Sequence, residues 1–183
     1  MQNNKINILK SQLGDIRVKE NIDSFEYYYI ATSLRELIKA VELCRELSVP
    51  FLIFGQGSRI LLADMGFKGL GIKNRSGNIK IFSVKGKVSK NGLGIEEALI
   101  ETDSGVTLST LACFVKNQNL KISETIEFEK GTIGGEIKTH PLLLDLVNQI
   151  KVLDELNEIK VRTASDIHKN DIILSVIFKI KSR

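Results

Sequence analysis

Two cysteines and two histidines in 183 residues leave little from which to build a metal site. Cys44 and Cys113 are too few and too far apart for a zinc centre. Neither His140 nor His168 has a His, Cys or paired carboxylate at ligand spacing, and no Ser-His-Asp order can be drawn. Both cysteines fall on apolar stripes of predicted helices, so two buried, reduced thiols are expected. Tryptophan is absent and proline occurs twice, neither of which bears on function. No apolar run approaches the roughly 20 residues of a membrane-spanning helix, and the opening Met1-Gln-Asn-Asn-Lys lacks the apolar core of a signal peptide. No membrane association and a cytoplasmic location are therefore expected.

Charge of one sign is also scarce: the net value is +4, and the lysines and arginines are spread along the chain. A nucleic-acid binder would carry a basic stripe with interleaved aromatics. Lys80, Lys85, Lys87 and Lys90, and the tail residues Lys179, Lys181 and Arg183, instead alternate with apolar residues as solvated strand faces do. No nucleic-acid partner is expected, whereas the mild positive balance suits a dianionic cofactor or a nucleotide-sugar. Hydrophobic residues at 43% against 26% charged place the chain among globular proteins, with room for one domain or two small subdomains.

Ile6, Ile8 and Leu9 predict a short amphipathic segment, and Phe25 with Tyr27 to Tyr29 an aromatic strand. Ser33 opens a helix as N-cap, Glu36 completes a capping box, and Leu34, Leu37, Ile38, Val41 and Cys44 form its inward stripe. Val49 and Phe51 to Phe54 read as a buried strand, followed by a glycine turn and a second strand at 59–63. Further strands are expected at 69–73, 79–84 and 96–101, and a second helix at 107–117. Pro141 fits the first turn of a third helix reaching about Ile150. A hairpin around Asp154 to Glu158 and an alternating strand at 172–180 close the chain. Strands come in runs rather than in strict alternation with helices, which argues for an α+β chain with two small sheets.

The most informative stretch is Phe51-Leu-Ile-Phe-Gly-Gln-Gly-Ser-Arg-Ile. Gly55 and Gly57 bracket a turn that can take positive φ and approach a ligand closely. Backbone N–H groups there make an anion-sized concavity, to which Ser58 adds a hydroxyl and Arg59 a cation, a sensible cradle for a diphosphate. Ordinary hairpin chemistry also uses Gly-x-Gly-Ser, so the loop alone leaves both readings open.

With its flanks, this stretch resembles the FAD-binding domain of the UDP-N-acetylenolpyruvylglucosamine reductase (UDP-N-acetylmuramate dehydrogenase) family. That family lies within the vanillyl-alcohol oxidase and p-cresol methylhydroxylase group of flavoproteins. The likeness runs from Ser33-Leu-Arg-Glu-Leu-Ile through the loop and Ala63-Asp-Met-Gly-Phe to Gly69-Leu-Gly-Ile-Lys. It resumes at Ser104-Gly-Val-Thr-Leu-Ser-Thr-Leu-Ala, Ile126-Glu-Phe, Gly131-Thr-Ile-Gly-Gly-Glu-Ile and Ile172-Ile-Leu-Ser-Val-Ile-Phe-Lys-Ile. The resemblance implies two small α/β subdomains, at 1–74 and 75–183, forming one FAD-binding unit. It implies diphosphate contact by Gly55, Gln56, Gly57, Ser58, Arg59 and Ile60. It implies flavin contact by Gly131, Thr132, Ile133, Gly134 and Gly135, with Ser104 and Gly105 approaching more loosely.

Several residues depart from the family pattern. Gln56 replaces a glycine, at a cost of about 1 kcal/mol if positive φ is required there. Arg59 replaces an Asn, the second glycine segment is shortened, and Glu136-Ile-Lys-Thr-His-Pro stands where the family has Ala-Val-x-Met-Asn-Ala-Gly. The early Thr-x-x-x-x-Gly-Gly motif is missing. The family's catalytic Tyr-Arg-x-Ser segment is also missing, so no catalytic residue is assigned. Two readings follow. In one, the chain is an FAD-binding module whose oxidoreductase activity requires a partner chain supplying a substrate domain. In the other, it is a relative that has lost its cofactor and serves as an interaction or regulatory subunit.

Overall fold

The computed structural model describes residues 2–14, 18–22, 25–57, 66–89, 92–123, 126 and 129–182. The chain divides into two compact units, Met1–Ser76 and Gly77–Arg183.

The first unit runs α1 (Gln2–Leu13), β1 (Val18–Ile22), β2 (Phe25–Ala31), α2 (Leu34–Glu46), β3 (Phe51–Phe54) and β4 (Phe67–Asn74). Its sheet has the order β1-β2-β4-β3, with β2, β4 and β3 parallel and β1 antiparallel. Ser33 caps α2 as expected, its Oγ accepting the Glu36 N–H at 3.3 Å. The Glu36 carboxylate reaches one residue further back than in a standard box, accepting from the N–H and hydroxyl of Thr32 at 2.8 and 2.9 Å. Leu37, Ala40, Val41 and Cys44 of α2 are buried, and the helix packs on β2 and β4, where Tyr29, Leu70 and Ile72 are also buried. Leu9 of α1 joins this core. All four residues of β3 are only partly buried, not enclosed as the apolar run predicts. Among the described residues β3 pairs with β4 alone and is an edge strand, which leaves one side open. The strand expected at 59–63 lies outside the described residues.

The second unit begins with the long hairpin β5 (Ile79–Ser89) and β6 (Gly92–Asp103), followed by α3 (Leu108–Asn117). Two four-residue helices, α4 (Ile133–Glu136) and α5 (Pro141–Leu144), lead to β7 (Val147–Leu153), β8 (Ile159–Arg162) and β9 (Ile172–Lys181). These strands form an antiparallel sheet of order β5-β6-β9-β7-β8. Its core joins Ile100, Val176 and Phe178 of the sheet to Leu108, Leu111 and Val115 of α3. Thr107 caps α3 through its hydroxyl, which accepts the Thr110 N–H at 3.1 Å. The edge strand β5 is exposed from Lys80 to Gly86, with Phe82 at 57% and Val84 at 52%.

Two local expectations fail here. The helix begun at Pro141 ends at Leu144 instead of reaching Ile150, because Val147 to Leu153 pair with β9. Cys113 is exposed rather than buried: Leu108, Leu111, Ala112 and Val115 take the inward positions of α3 and turn Cys113 outward. Cys44 is buried, and burial pushes its thiol pKa up to about 12.

Candidate functional site

The Gly55–Gly57 turn follows the carboxyl end of β3, where ligands of open α/β sheets commonly sit. Gly57 takes φ +79°, a left-handed conformation that disfavours a side chain, although a Cβ there would meet nothing closer than Phe54 at 3.9 Å. Gln56 is not among the positive-φ residues, so the penalty anticipated for its side chain does not arise. The N–H groups of Gln56 and Gly57 have no acceptor among the described residues, and both residues are exposed. Behind the turn, Phe54 stacks on Phe25 with ring centroids 5.1 Å apart and planes 2° from parallel. Ser58, Arg59 and Ile60 lie outside the described residues.

In the second unit, β6 delivers Ser104 and Gly105 to the turn before α3, and an isolated bridge between Thr107 and Thr132 brings the second glycine cluster beside them. Three of its amides are already used. Ile133 donates to Val106 O, Gly134 to Ser104 O and Gly135 to Thr132 O, at 2.8–3.0 Å. A Cβ on Gly134 would stand 2.9 Å from Ser104 Cβ and 3.2 Å from its carbonyl oxygen, so this glycine is required by close packing. Gly131 takes φ +140°, and the buried side chain of Glu136 lies against it, its Oε1 2.5 Å from where a Cβ would be. The amides of Gly131 and Thr132 have no acceptor among the described residues, and the Thr132 hydroxyl makes no capping bond to α4. The cluster thus divides into buried amides without an acceptor at Gly131 and Thr132 and a portion from Ile133 to Gly135 whose amides are already spent.

The ionisable groups nearby are on the same sheet. Asp103 is buried and accepts the Asn78 N–H at 3.1 Å; burial raises its pKa, further helped by the Glu101 carboxylate, despite that hydrogen bond. Burial would also raise Glu101, but Lys80 at 3.1 Å and Lys151 at 3.5 Å outweigh it and hold the carboxyl below its ordinary range. His140, which precedes Pro141, is buried with Nε2 2.8 Å from the Glu129 carboxylate, close enough for an ion pair but out of line for a hydrogen bond. Among the described residues no group of three His, Cys, Asp or Glu could hold a metal ion. No helix among them is long and apolar enough to cross a membrane.

The sequence pattern of the FAD binding domain family matches residues 25–141, from the start of β2 to the start of α5. The chain belongs to that family. FAD is the cofactor the family carries, and in the first unit the exposed amides of Gln56 and Gly57 are donors of the kind a diphosphate accepts. Among curated proteins, the chain is 30% identical over 133 residues to the UDP-N-acetylenolpyruvoylglucosamine reductase of Desulforamulus reducens, covering 70% of this chain and 40% of that protein. It spans half or less of the length of the curated relatives cited here, a second being the Clostridioides difficile reductase at 26% identity, with 82% of this chain and 50% of that protein covered. Among solved structures, p-cresol methylhydroxylase with substrate bound superposes with a TM-score of 0.66 at 12% identity, over 99% of this chain and 43% of that one. The UDP-N-acetylenolpyruvylglucosamine reductase of Thermus caldophilus gives 0.62 at 16%, over 86% and 56%. The α+β architecture with two sheets is therefore that of the FAD-binding fold.

Sequence reasoning missed three features. Glu136 was visible only as a departure from the family's small residue, with nothing to say that it folds back on Gly131. The spent amides of Ile133 and Gly134 depend on carbonyls about thirty residues earlier in the chain. The grouping of Glu101 with Lys80, Lys151 and Ser175, whose Oγ lies 3.3 Å from Glu101 Oε1, follows from strand register alone.

Proposed function

We propose that this chain is a flavin-holding module of the UDP-N-acetylmuramate dehydrogenase type, working in the cytoplasm with a partner chain that supplies the substrate domain. The observation that carries the proposal is the turn after β3, with Gly57 at φ +79° and two exposed amides lacking acceptors. Gln56 and Gly57 would donate their N–H groups to the diphosphate, joined by Ser58 and Arg59. The amides of Gly131 and Thr132, with the Thr132 hydroxyl, would donate to the remainder of the cofactor. Bound FAD supplies hydride and electron transfer. Reduction of an enolpyruvyl group also needs a proton donor held at the other carbon, and the sequence carries no Tyr-Arg-x-Ser segment before β9. Such catalysis is accordingly assigned to the assembly with a partner, in peptidoglycan precursor synthesis.

A second reading, a cofactor-free interaction subunit, draws on Glu136. Its side chain is packed against Gly131, and a carboxylate there would oppose an anionic cofactor. One experiment separates the two. The chain is purified without added cofactor, mixed with FAD and passed through gel filtration while absorbance near the flavin bands is recorded. Flavin that stays with the protein supports the module. A folded, colourless protein that ignores micromolar FAD overturns it and leaves the second reading.

A further inference from the structure

The first unit holds a cavity of about 300 Å³ at the opposite end of its sheet from the glycine turn. Val49 and Pro50 line it just before β3, Lys68 and Gly69 near the start of β4, and Glu26 and Tyr27 near the start of β2. These strands are parallel, so the cavity opens on their amino-terminal ends. The five steps along the chain from Pro50 to Gly55, at about 3.3 Å each, put it roughly 16 Å from the turn. Lys5 and Ile6 of α1 complete the wall, and α1 precedes the stretch that matches the FAD binding domain family.

The lining divides by chemistry. Ile6, Val49, Pro50 and the ring of Tyr27 offer an apolar surface. Lys5 and Lys68 bring two cations, and neither forms an ion pair among the described residues. Glu26 is the single carboxylate in the lining, so the wall is cationic on balance. Burial, and then the Glu26 and Glu20 carboxylates, raise the pKa of the Tyr27 phenol, and its hydrogen bond to the Glu26 side chain already engages the hydroxyl. A mostly apolar concavity with a few polar groups is the usual form of a small-molecule site, and this volume holds about ten water-sized groups.

We propose that this cavity is a second binding site, taking a small amphiphilic organic anion whose ring or short chain lies against Ile6, Val49 and Pro50. Its carboxylate is held by Lys5 and Lys68. The site does not depend on FAD, so a flavin-free preparation binds the same ligand.

Benzoate is the probe, titrated into the isotopically labelled full chain and followed by amide NMR. Saturable shifts are expected at Tyr27, Val49 and Gly69. The double variant Lys5→Met and Lys68→Met should weaken binding about tenfold, the effect of losing roughly one charge-assisted contact. Raising the salt to 0.5 M should weaken binding to the unaltered chain severalfold, a readout that needs no variant. Inorganic phosphate, which lacks the apolar part, should bind more weakly than benzoate. Shifts confined to other residues, an affinity indifferent to salt and to the double variant, or phosphate binding as tightly as benzoate would each overturn the proposal.

Discussion

Gly134 and Gly135 adjoin in sequence, yet the structure gives them different tasks, and alanine at each position separates those tasks. Neither has positive φ, so backbone conformation is not at issue. A Cβ on Gly134 would be 2.9 Å from Ser104 Cβ and 3.2 Å from Ser104 O, the same oxygen that accepts the Gly134 N–H at 2.8 Å. The turn carrying Ser104 would have to move, and that turn is fixed by Ser104 N–H donating to Leu174 O in β9. Overpacking of this kind costs about 2 kcal/mol. For a chain of this length that corresponds to a fall in Tm of about 4–8 °C. A Cβ on Gly135 meets only Thr132 Oγ1, at 3.5 Å, an ordinary contact. Since alanine favours helix over glycine by up to about 1 kcal/mol, Gly135→Ala should leave Tm unchanged or raise it. Thermal denaturation followed by circular dichroism, without FAD, measures both. If Gly134→Ala melts with the unaltered chain while both variants lose FAD equally, the pair serves the cofactor and the packing account is wrong.

Gly57→Ala should weaken FAD roughly tenfold through the left-handed penalty of about 1–2 kcal/mol, whereas Gln56→Gly should change it less than about threefold. Flavin fluorescence titration compares the two, and the reverse ranking would contradict the observed φ angles. Asp103 has a raised pKa in the folded chain, so ionising it costs stability as pH rises from its ordinary 3.8 through the higher folded value. Asp103→Asn should therefore be more stable than the unaltered chain at pH 7 and equal to it near pH 3, by urea midpoints; a variant less stable at pH 7 would refute this. Glu101 has the opposite sign: its depressed pKa gives stability above the ordinary 4.5 that is lost as pH falls through the folded value. Glu101→Gln should thus lower the pH 7 urea midpoint and leave the pH 3 midpoint nearly unchanged. Ellman's reagent at pH 8 should titrate one thiol per native chain, exposed Cys113, and the second only in denaturant; two fast thiols would contradict the burial of Cys44.

Local chemistry made much of this fold readable in advance. Ser33 announced its helix as a cap, the apolar stripe from Leu108 to Val115 marked α3, the apolar alternation from Ile172 marked β9, and Asp154 marked the hairpin whose Leu156 and Glu158 amides its carboxylate accepts. Legibility ended where distant segments decide the outcome. Leu142 to Leu146 continue a helical pattern, but Ile150 is drawn into the sheet opposite Val176, twenty-six residues away in sequence. At the candidate site, the glycines of both clusters could be seen in the sequence, and the state of their amides could not. Whether an N–H is open depends on which carbonyl stands opposite, and for Gly134 that carbonyl belongs to Ser104.

The open edge of β5 bears on how this protein behaves in concentrated solution. Phe82 and Val84 are exposed on a strand with no partner on its outer side among the described residues, and such an edge is a template for another strand. Lys85, exposed on the same strand, opposes the approach of a second copy, and the net charge of +4 adds to that repulsion. Colloidal stability therefore hinges on ionic strength: at 1 M salt the repulsion reaches only about 3 Å, and the apolar edge is left to act alone.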